Sequence, residues 1–585
     1  MRTWGKVWLS NITKVSGLRP VAISLACILA LAGCSSGGGS SGSATGPAPT
    51  ISSVTPATGT VGTEISIIGS EFRAGVGVFV GDFEATSVDR VSSTQLFVLV
   101  PEGVPIDVAL AVRVRNADNT EAQLADAFTA VAPTLEFVNN ATKPSGNVGS
   151  TVIIEGDAFG DVQGIGQVLF SDGGGGTIAA EIADEADWVN TFIVTTVPSG
   201  AEDGPITVVT ATGTSNALHF TVTSAATFSP STMNWTVTDD LPVGLSGHRA
   251  ASLQIEDAGG DTSRFVHVLG GASDDGVPQS EVYIGRVLAT GHVDAWTATS
   301  PLPAGRAFHG LVAATPFNSR VADHGQLYVL GGLDMVGGQP TTTVYRAALN
   351  EDGSVGEWAE TQPLPEPLHA LGVVIFRGAI YVAGGATTDN EPVTSVYRAR
   401  PEPDGELGEW EMLPELPSAR AFHGLASFGG FLYAVGGDSA AVDPDDNAHQ
   451  NNASKLREVA YVRIDLRNGN FAAEEWSLNE NQLEKRRAKH STVVAGGNLF
   501  VTSGLYDAAG TGSTESVFAQ INADGSVGTF NGATGSNTLL SQGGANLFNQ
   551  AAISYIDADG VAHVMVIGGD NVNAPGFKRN EVLFY

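Results

Sequence analysis

"LYVLGG", at 327–332, is a short run of strand-forming apolar residues closed by two glycines. Runs of this composition, bounded by turn residues, read as β-strands. The same form returns as "VHVLGG" ending at Gly271, "IYVAGG" at Gly385, "LYAVGG" at Gly437, "LFVTSG" at Gly504 and "VMVIGG" at Gly569. The closing glycines lie 61, 53, 52, 67 and 65 residues apart, a period that marks an array of one repeated unit.

Working outward from the glycines defines the unit. Ahead of each run a smaller strand opens at His248, His309, His369, His423 and His490, with Gln550 in the sixth place. A third strand follows with Tyr283, Tyr345, Tyr397, Tyr461 or Phe518, and a fourth carries Trp296, Trp358, Trp410, Trp476 or Phe530. Between the third and fourth, "EDGSVGEW", "PDGELGEW" and "ADGSVGTF" place Asp-Gly pairs where a tight turn needs positive φ.

The sixth unit ends at "EVLFY" without a fourth strand, so its partner must lie upstream. "STMNWTV" supplies it: Trp235 precedes His248 by thirteen residues, as Trp296 precedes His309 and Trp410 precedes His423. Four-stranded units of this kind resemble kelch repeats, a resemblance that implies β-propeller blades. Residues 225–585 are accordingly expected to form a six-bladed β-propeller closed by an N-terminal outer strand. Closure removes the two sheet edges an open array would expose.

Before the repeats, 49–131 and 132–224 share a skeleton. Gly62, Gly69 and Phe72 of the first recur as Gly149, Gly156 and Phe159 in the second, at the same spacings. Alternating strands separated by Gly and Pro turns indicate immunoglobulin-like β-sandwiches. Both segments resemble IPT/TIG domains, which implies spacer or binding modules. The expected fold class is all-β throughout. "FSDGGGGT" lacks the Lys and helix of a phosphate loop and reads as a hairpin tip, and "EIADEADW" reads as a solvated edge.

The N-terminus reads as a processing signal. Arg2, Lys6, Lys14 and Arg19 precede the apolar "VAISLACILALAG", which is too short to span a bilayer comfortably. "LAGC" resembles the lipobox of bacterial lipoproteins, a resemblance that implies cleavage of 1–33 and acylation at Cys34. A Gly/Ser tether over 34–48 then holds the body off a lipid surface. The expected location is the bacterial cell envelope, lipid-anchored and on the outer membrane, with Ser35 after Cys34.

Acidic residues outnumber basic ones 62 to 29, which disfavours nucleic acid and leaves the lipid anchor as the sole membrane contact expected. Only Cys27 and Cys34 exist, so the propeller has no thiol to build the Cys-linked tyrosine of copper-containing kelch relatives. No cofactor or metal is expected; Asp443, Asp445 and Asn447 begin like a calcium loop, but Ala448 and Ser454 stand where Gly and Glu are required.

The candidate site is the propeller face carrying the loops from fourth to first strands. "PAGRAFH", "PSARAFH" and "EKRRAKH" gather basic residues there. Arg249, Arg306, His309, Arg420, His423, Arg486 and His490 are the candidate ligand-binding residues. A bland reading competes: such recurring Arg and His also suit the junctions between blades. With no catalytic constellation in the sequence, the expected function is non-enzymatic binding or adhesion to a protein or glycan. The alternative is a carbohydrate-active enzyme of the sugar-acid epimerase type, using the Arg and His residues for anion capture and acid–base work.

Overall fold

The computed structural model describes residues 46–138, 144–183, 185–223, 235–256, 262–314, 324–334, 338–402, 404–441, 454–465, 469–506, 515–522, 524–532, 547–557, 561–571 and 578–585. Cys34, most of the tether and the calcium-like loop lie outside them. Among the described residues the only helical element is a single 3-10 turn, Glu185–Asp187; everything else regular is β-strand.

Each sandwich packs two sheets. In the first, Thr50–Thr55, Glu64–Ser70, Gln95–Leu99 and Val88–Arg90 face a sheet built on Glu121–Ala130 and Ala109–Arg115. The second repeats this plan around Thr151–Asp157 and Gly204–Thr210. The shared Gly-x-x-Phe has a steric cause. A Cβ on Gly69 would lie 1.9 Å from the Thr50 carbonyl oxygen and 2.6 Å from the Phe72 ring; on Gly156 the matching distances are 2.0 Å to Thr134 and 2.6 Å to Phe159. "FSDGGGGT" is the tip between Gln167–Ser171 and Thr177–Ala179, with Asp172 accepting from the amides of Gly174 and Gly176.

C-terminal to the sandwiches, the described residues form six antiparallel sheets of four or more strands, numbered in chain order by their first strands Arg249–Glu256, Gly310–Ala314, Gly372–Phe376, Gly424–Phe428, Ser491–Ala495 and Ala551–Ile556, besides a two-stranded pairing of Arg306–Ala307 with Leu333–Asp334. In sheet 6 the order is Ala551–Ile556, Ala562–Asn571, Lys578–Phe584 and then Thr236–Val237 from the start of the region. Thr236 pairs with Phe584 and Val237 with Leu583. The first strands neighbour one another in cyclic order, that of sheet 1 lying beside those of both sheet 2 and sheet 6.

Two cycles of backbone hydrogen bonds run through all six sheets. In one, the amides of Phe308, Ala370, Phe422, Lys489, Asn549 and Gly247 each donate to the carbonyl of the equivalent residue one sheet earlier, at 2.7–3.0 Å. All six adopt positive φ, from 53° to 64°. Gly247 does so freely, while the other five bear the cost of a left-handed conformation. In the second cycle the amides of Gly271, Gly332, Gly385, Gly437, Gly504 and Gly569 donate to carbonyls of the next sheet, namely Arg306, Leu368, Arg420, Arg487, Leu547 and Leu245.

The second sandwich is fastened to the propeller region. Phe192, 1% exposed, meets the Phe376 ring at 6.0 Å, and the Arg377 guanidinium lies 4.3 Å above Phe192 while donating to Thr191 Oγ1 at 2.7 Å. Arg463 donates to Asp187 at 2.8 Å. The acidic stretch before Trp188 is solvated only in part: Glu181 and Glu185 are exposed, while Asp187 is paired and Trp188 is fully buried. The reason is tertiary, since the arginine it answers is 276 residues away.

Candidate functional site

The histidines that open the first strands are wedged between sheets. His309 sets its Cβ against Gly332 of its own sheet, where an added Cβ would come within 2.7 Å, and its Cε1 against Gly270 of sheet 1, at 3.0 Å from such a Cβ. His423 does the same with Gly437 and Gly384, His490 with Gly504 and Gly436, and His248 with Gly271 and Gly568 of sheet 6. The glycine pair and the histidine are thus two halves of one joint. In sheet 3 the residue against Gly385 is Leu371; His369 stands two residues early and bonds Asn390 Oδ1 at 3.1 Å instead.

Burial removes these imidazoles from acid–base work. His248 and His490 are pushed down to about 3, first by burial and then by Arg249 and Arg487 respectively. His309 and His423 fall well below the ordinary value, again by burial first, with Arg249 adding to it at both and with Arg306 or Arg420 alongside. A neutral imidazole held this way neither shuttles protons near neutrality nor contributes positive charge.

The arginines are also taken up by the junctions. Arg420, fully buried, donates from Nη1 to the carbonyls of Ala434 and Gly436 and from Nη2 to Glu458 at 3.1 Å. Arg306, 4% exposed, lies over Tyr345 with its carbon 5.2 Å from the ring centre. The third member of this set is Arg487, which donates to the Ser503 carbonyl at 3.1 Å; Arg486 is exposed and reaches the Lys455 carbonyl at 2.9 Å. In "EKRRAKH" it is the arginine three before His490 that matches Arg306 and Arg420.

The guanidinia therefore splay into successive junctions rather than converge on one open pocket. Leucines 245, 368 and 547 hold the matching places in sheets 1, 3 and 6. Replacing Arg420 by Ala should cost about 3 kcal/mol, since it strands Glu458 and two carbonyls. Arg420→Leu, which restores packing as Leu368 does, should cost about half of that in denaturant titration. Equal losses would show that the polar contacts contribute nothing beyond volume.

Above the joints the channel mouth is apolar. The Phe308 and Phe422 rings, 7% and 5% exposed, meet edge to face at 5.3 Å, and Lys489 places Nζ 4.8 Å over Phe422. The exposed charges around this face are mainly acidic: Asp274, Asp275, Glu281, Asp389, Glu391 and Glu415. Burial withdraws Arg306, Arg420 and Arg487 from the expected concentration of positive charge, while Arg486 stays exposed. Among the described residues no group of three or more His, Cys, Asp or Glu is placed to hold a metal.

Comparison with known proteins bears on the fold. Residues 49–129 match the family model described as IPT/TIG domain. The chain is 30% identical over 149 residues to Kelch-like protein terF of Aspergillus terreus, covering 24% of this chain and 30% of that protein. It is 27% identical over 203 residues to Kelch-like protein 36 of Mus musculus, covering 34% and 29%. The chain thus spans about three tenths of the length of these curated relatives. A solved structure titled "Structure of YjhT" aligns at 13% identity with a TM-score of 0.41, over 59% of this chain and 95% of that one. The protein carries an IPT/TIG domain followed by a kelch-type β-propeller.

Proposed function

We propose that this protein is a lipid-anchored bacterial envelope protein whose propeller, a six-bladed ring closed by Thr236–Val237, binds a protein partner. The "LAGC" motif supports the anchor at Cys34, and the two hydrogen-bond cycles support the six-membered ring. One observation carries the binding reading. The second sandwich is fastened to sheet 3 where its first and second strands turn, through Phe376 and Arg377, and to the end of the third strand of sheet 4 through Arg463. The opposite face, where second strands lead to third and fourth to first, lies at the other end of the sheets from that attachment.

The acidic rim of that face favours a partner with a basic segment, attracted over a Debye length and weakened by salt. Burial of the guanidinia argues against capture of an acidic sugar there. The test is cross-linking in a bacterial host with two membranes. Wild-type chain should be recovered in the membrane fraction with a cross-linked protein, Cys34→Ser should be released from it, and Asp274→Lys with Asp275→Lys should lose the partner while staying anchored. Capture of glycans alone, or a partner indifferent to the double change, would overturn the protein-binding reading.

A further inference from the structure

Phe530 breaks the series of tryptophans at the head of the fourth strands. Trp296, Trp358, Trp410 and Trp476 donate their indole N–H groups to the carbonyls of Asp239, Ser300, Gln362 and Pro414, at 2.8–3.3 Å. Each acceptor stands four residues after the tryptophan of the preceding sheet: Trp235, Trp296, Trp358 or Trp410. The same count from Trp476 reaches Glu480, whose carbonyl should receive the aromatic of sheet 5. Phenylalanine has no N–H to give, and no donor among the described residues reaches the Glu480 carbonyl.

A cleft stands where the indole is missing. It measures about 540 Å³, and its lining includes Arg457, Glu480, Gln482, Leu483, Glu484 and Phe530. The Phe530 ring packs on the core shared by sheets 4 and 5, so it fills the apolar part of the tryptophan's place and leaves the part beside the carbonyl open. Leu483, 1% exposed, adds an apolar wall. The exposed Arg457 donates from Nε to Gln482 Oε1 at 2.8 Å, which holds a planar cation at the cleft. Glu480, Gln482 and Glu484 belong to a loop from fourth to first strand and Arg457 to one from second to third, the loops of the face assigned to the partner.

These features select an occupant. The carbonyl lacks a donor, a guanidinium is drawn to the face of an indole more than to that of a phenyl ring, and two carboxylates favour a cation beside it. We propose that the cleft seats a tryptophan side chain of the protein partner, flanked in sequence by lysine or arginine. Its indole N–H is given to the Glu480 carbonyl, its ring lies against Arg457, and the flanking charge meets Glu480 and Glu484. The chain makes the same indole–carbonyl contact four times within its own ring. An aromatic anchor in a pocket carries a large share of the energy of a protein interface. The proposal rests on the protein-binding reading and names one contact of that partner.

The probes are two acetylated, amidated tripeptides, Lys-Trp-Lys and Lys-Phe-Lys, titrated calorimetrically into full-length protein at low salt. The tryptophan peptide should bind roughly tenfold more tightly, the worth of one hydrogen bond and the better ring. Phe530→Trp restores the residue that sheets 1 to 4 already use, so the fold survives. It should raise the Tm and weaken the tryptophan peptide by roughly tenfold or more, because the chain's own indole takes the carbonyl. Arg457→Ala should narrow the preference for tryptophan over phenylalanine. Equal binding of the two peptides, or tryptophan binding unchanged in Phe530→Trp, would overturn the proposal. The peptides need no native partner, so the two readings fall separately: a partner cross-linked equally well by Phe530→Trp refutes this contact and leaves protein binding intact.

Discussion

Acidification should unfold this propeller well before its carboxylates are protonated. Six imidazoles, those of His248, His267, His309, His369, His423 and His490, are depressed in the folded state, His248 and His490 to about 3 and His267 and His369 to about 4. Their unfolded value is near 6.5. Between those limits the unfolded chain binds protons that the folded chain refuses. The stability these groups contribute is therefore complete above 6.5 and is lost as pH falls toward 3, at about 1.4 kcal/mol per unit of depression for each.

One carboxyl opposes the trend. Glu155, raised to about 7 chiefly by burial and held down in part by Arg377, favours the folded state below 4.5 and loses that contribution as pH rises through 7. A single group cannot offset six. Thermal melts should show a marked fall in Tm between about pH 7 and about pH 5. His309→Leu, which installs the residue type of Leu371 at the equivalent joint, should flatten that dependence while keeping the fold near neutrality. A pH-independent Tm, or an unchanged slope in His309→Leu, would show that the joints tolerate charge.

The second large effect concerns the last strand. Removing residues 581–585 deletes Val582, Leu583 and Phe584, which are 0%, 2% and 7% exposed. It also removes the partners of Thr236, Val237 and the strand Ala562–Asn571. Three buried large side chains at about 1.5–3 kcal/mol each approach the whole stability of a typical domain. The truncated chain should lose the cooperative melting transition of the propeller, and the freed edge should promote aggregation. The two sandwiches have separate cores and should still melt as ordered domains. A truncated propeller that melted cooperatively near the wild-type temperature would mean that sheet 6 is an ornament.

Much of the molecule was legible because its signals are local. Alternating apolar residues, Asp-Gly turns and paired glycines specify strands and hairpins from a few neighbouring residues. The Trp residues illustrate how far this goes. Trp296, Trp358, Trp410 and Trp476 recur at the head of the fourth strand, and each donates its indole N–H to a carbonyl one sheet earlier, at 2.8–3.3 Å. A repeated residue with a repeated partner shows itself by its period alone.

The candidate site was less legible. Arg and His beside a loop read equally well as a ligand face or as a joint, and the choice depends on atoms one sheet away. His309 is buried because Gly270 of another sheet makes room for its ring, and Arg420 because Glu458 and two carbonyls receive it. The register of sheet 3 was misread for a related reason: His369 is the conspicuous residue, yet Leu371 occupies the joint. Asp187 looked solvated until Arg463 met it.

The sequence by itself determined the all-β architecture, the IPT/TIG domain and the kelch-type repeats, since periodicity and turn chemistry are properties of adjacent residues. Only the tertiary structure decided which charged groups face solvent. Burial is set by what the neighbouring sheet presents, and that neighbour lies some fifty to seventy residues along the chain. It withdrew most of the candidate arginines and histidines into joints and left Arg486 exposed and Arg249 only partly buried.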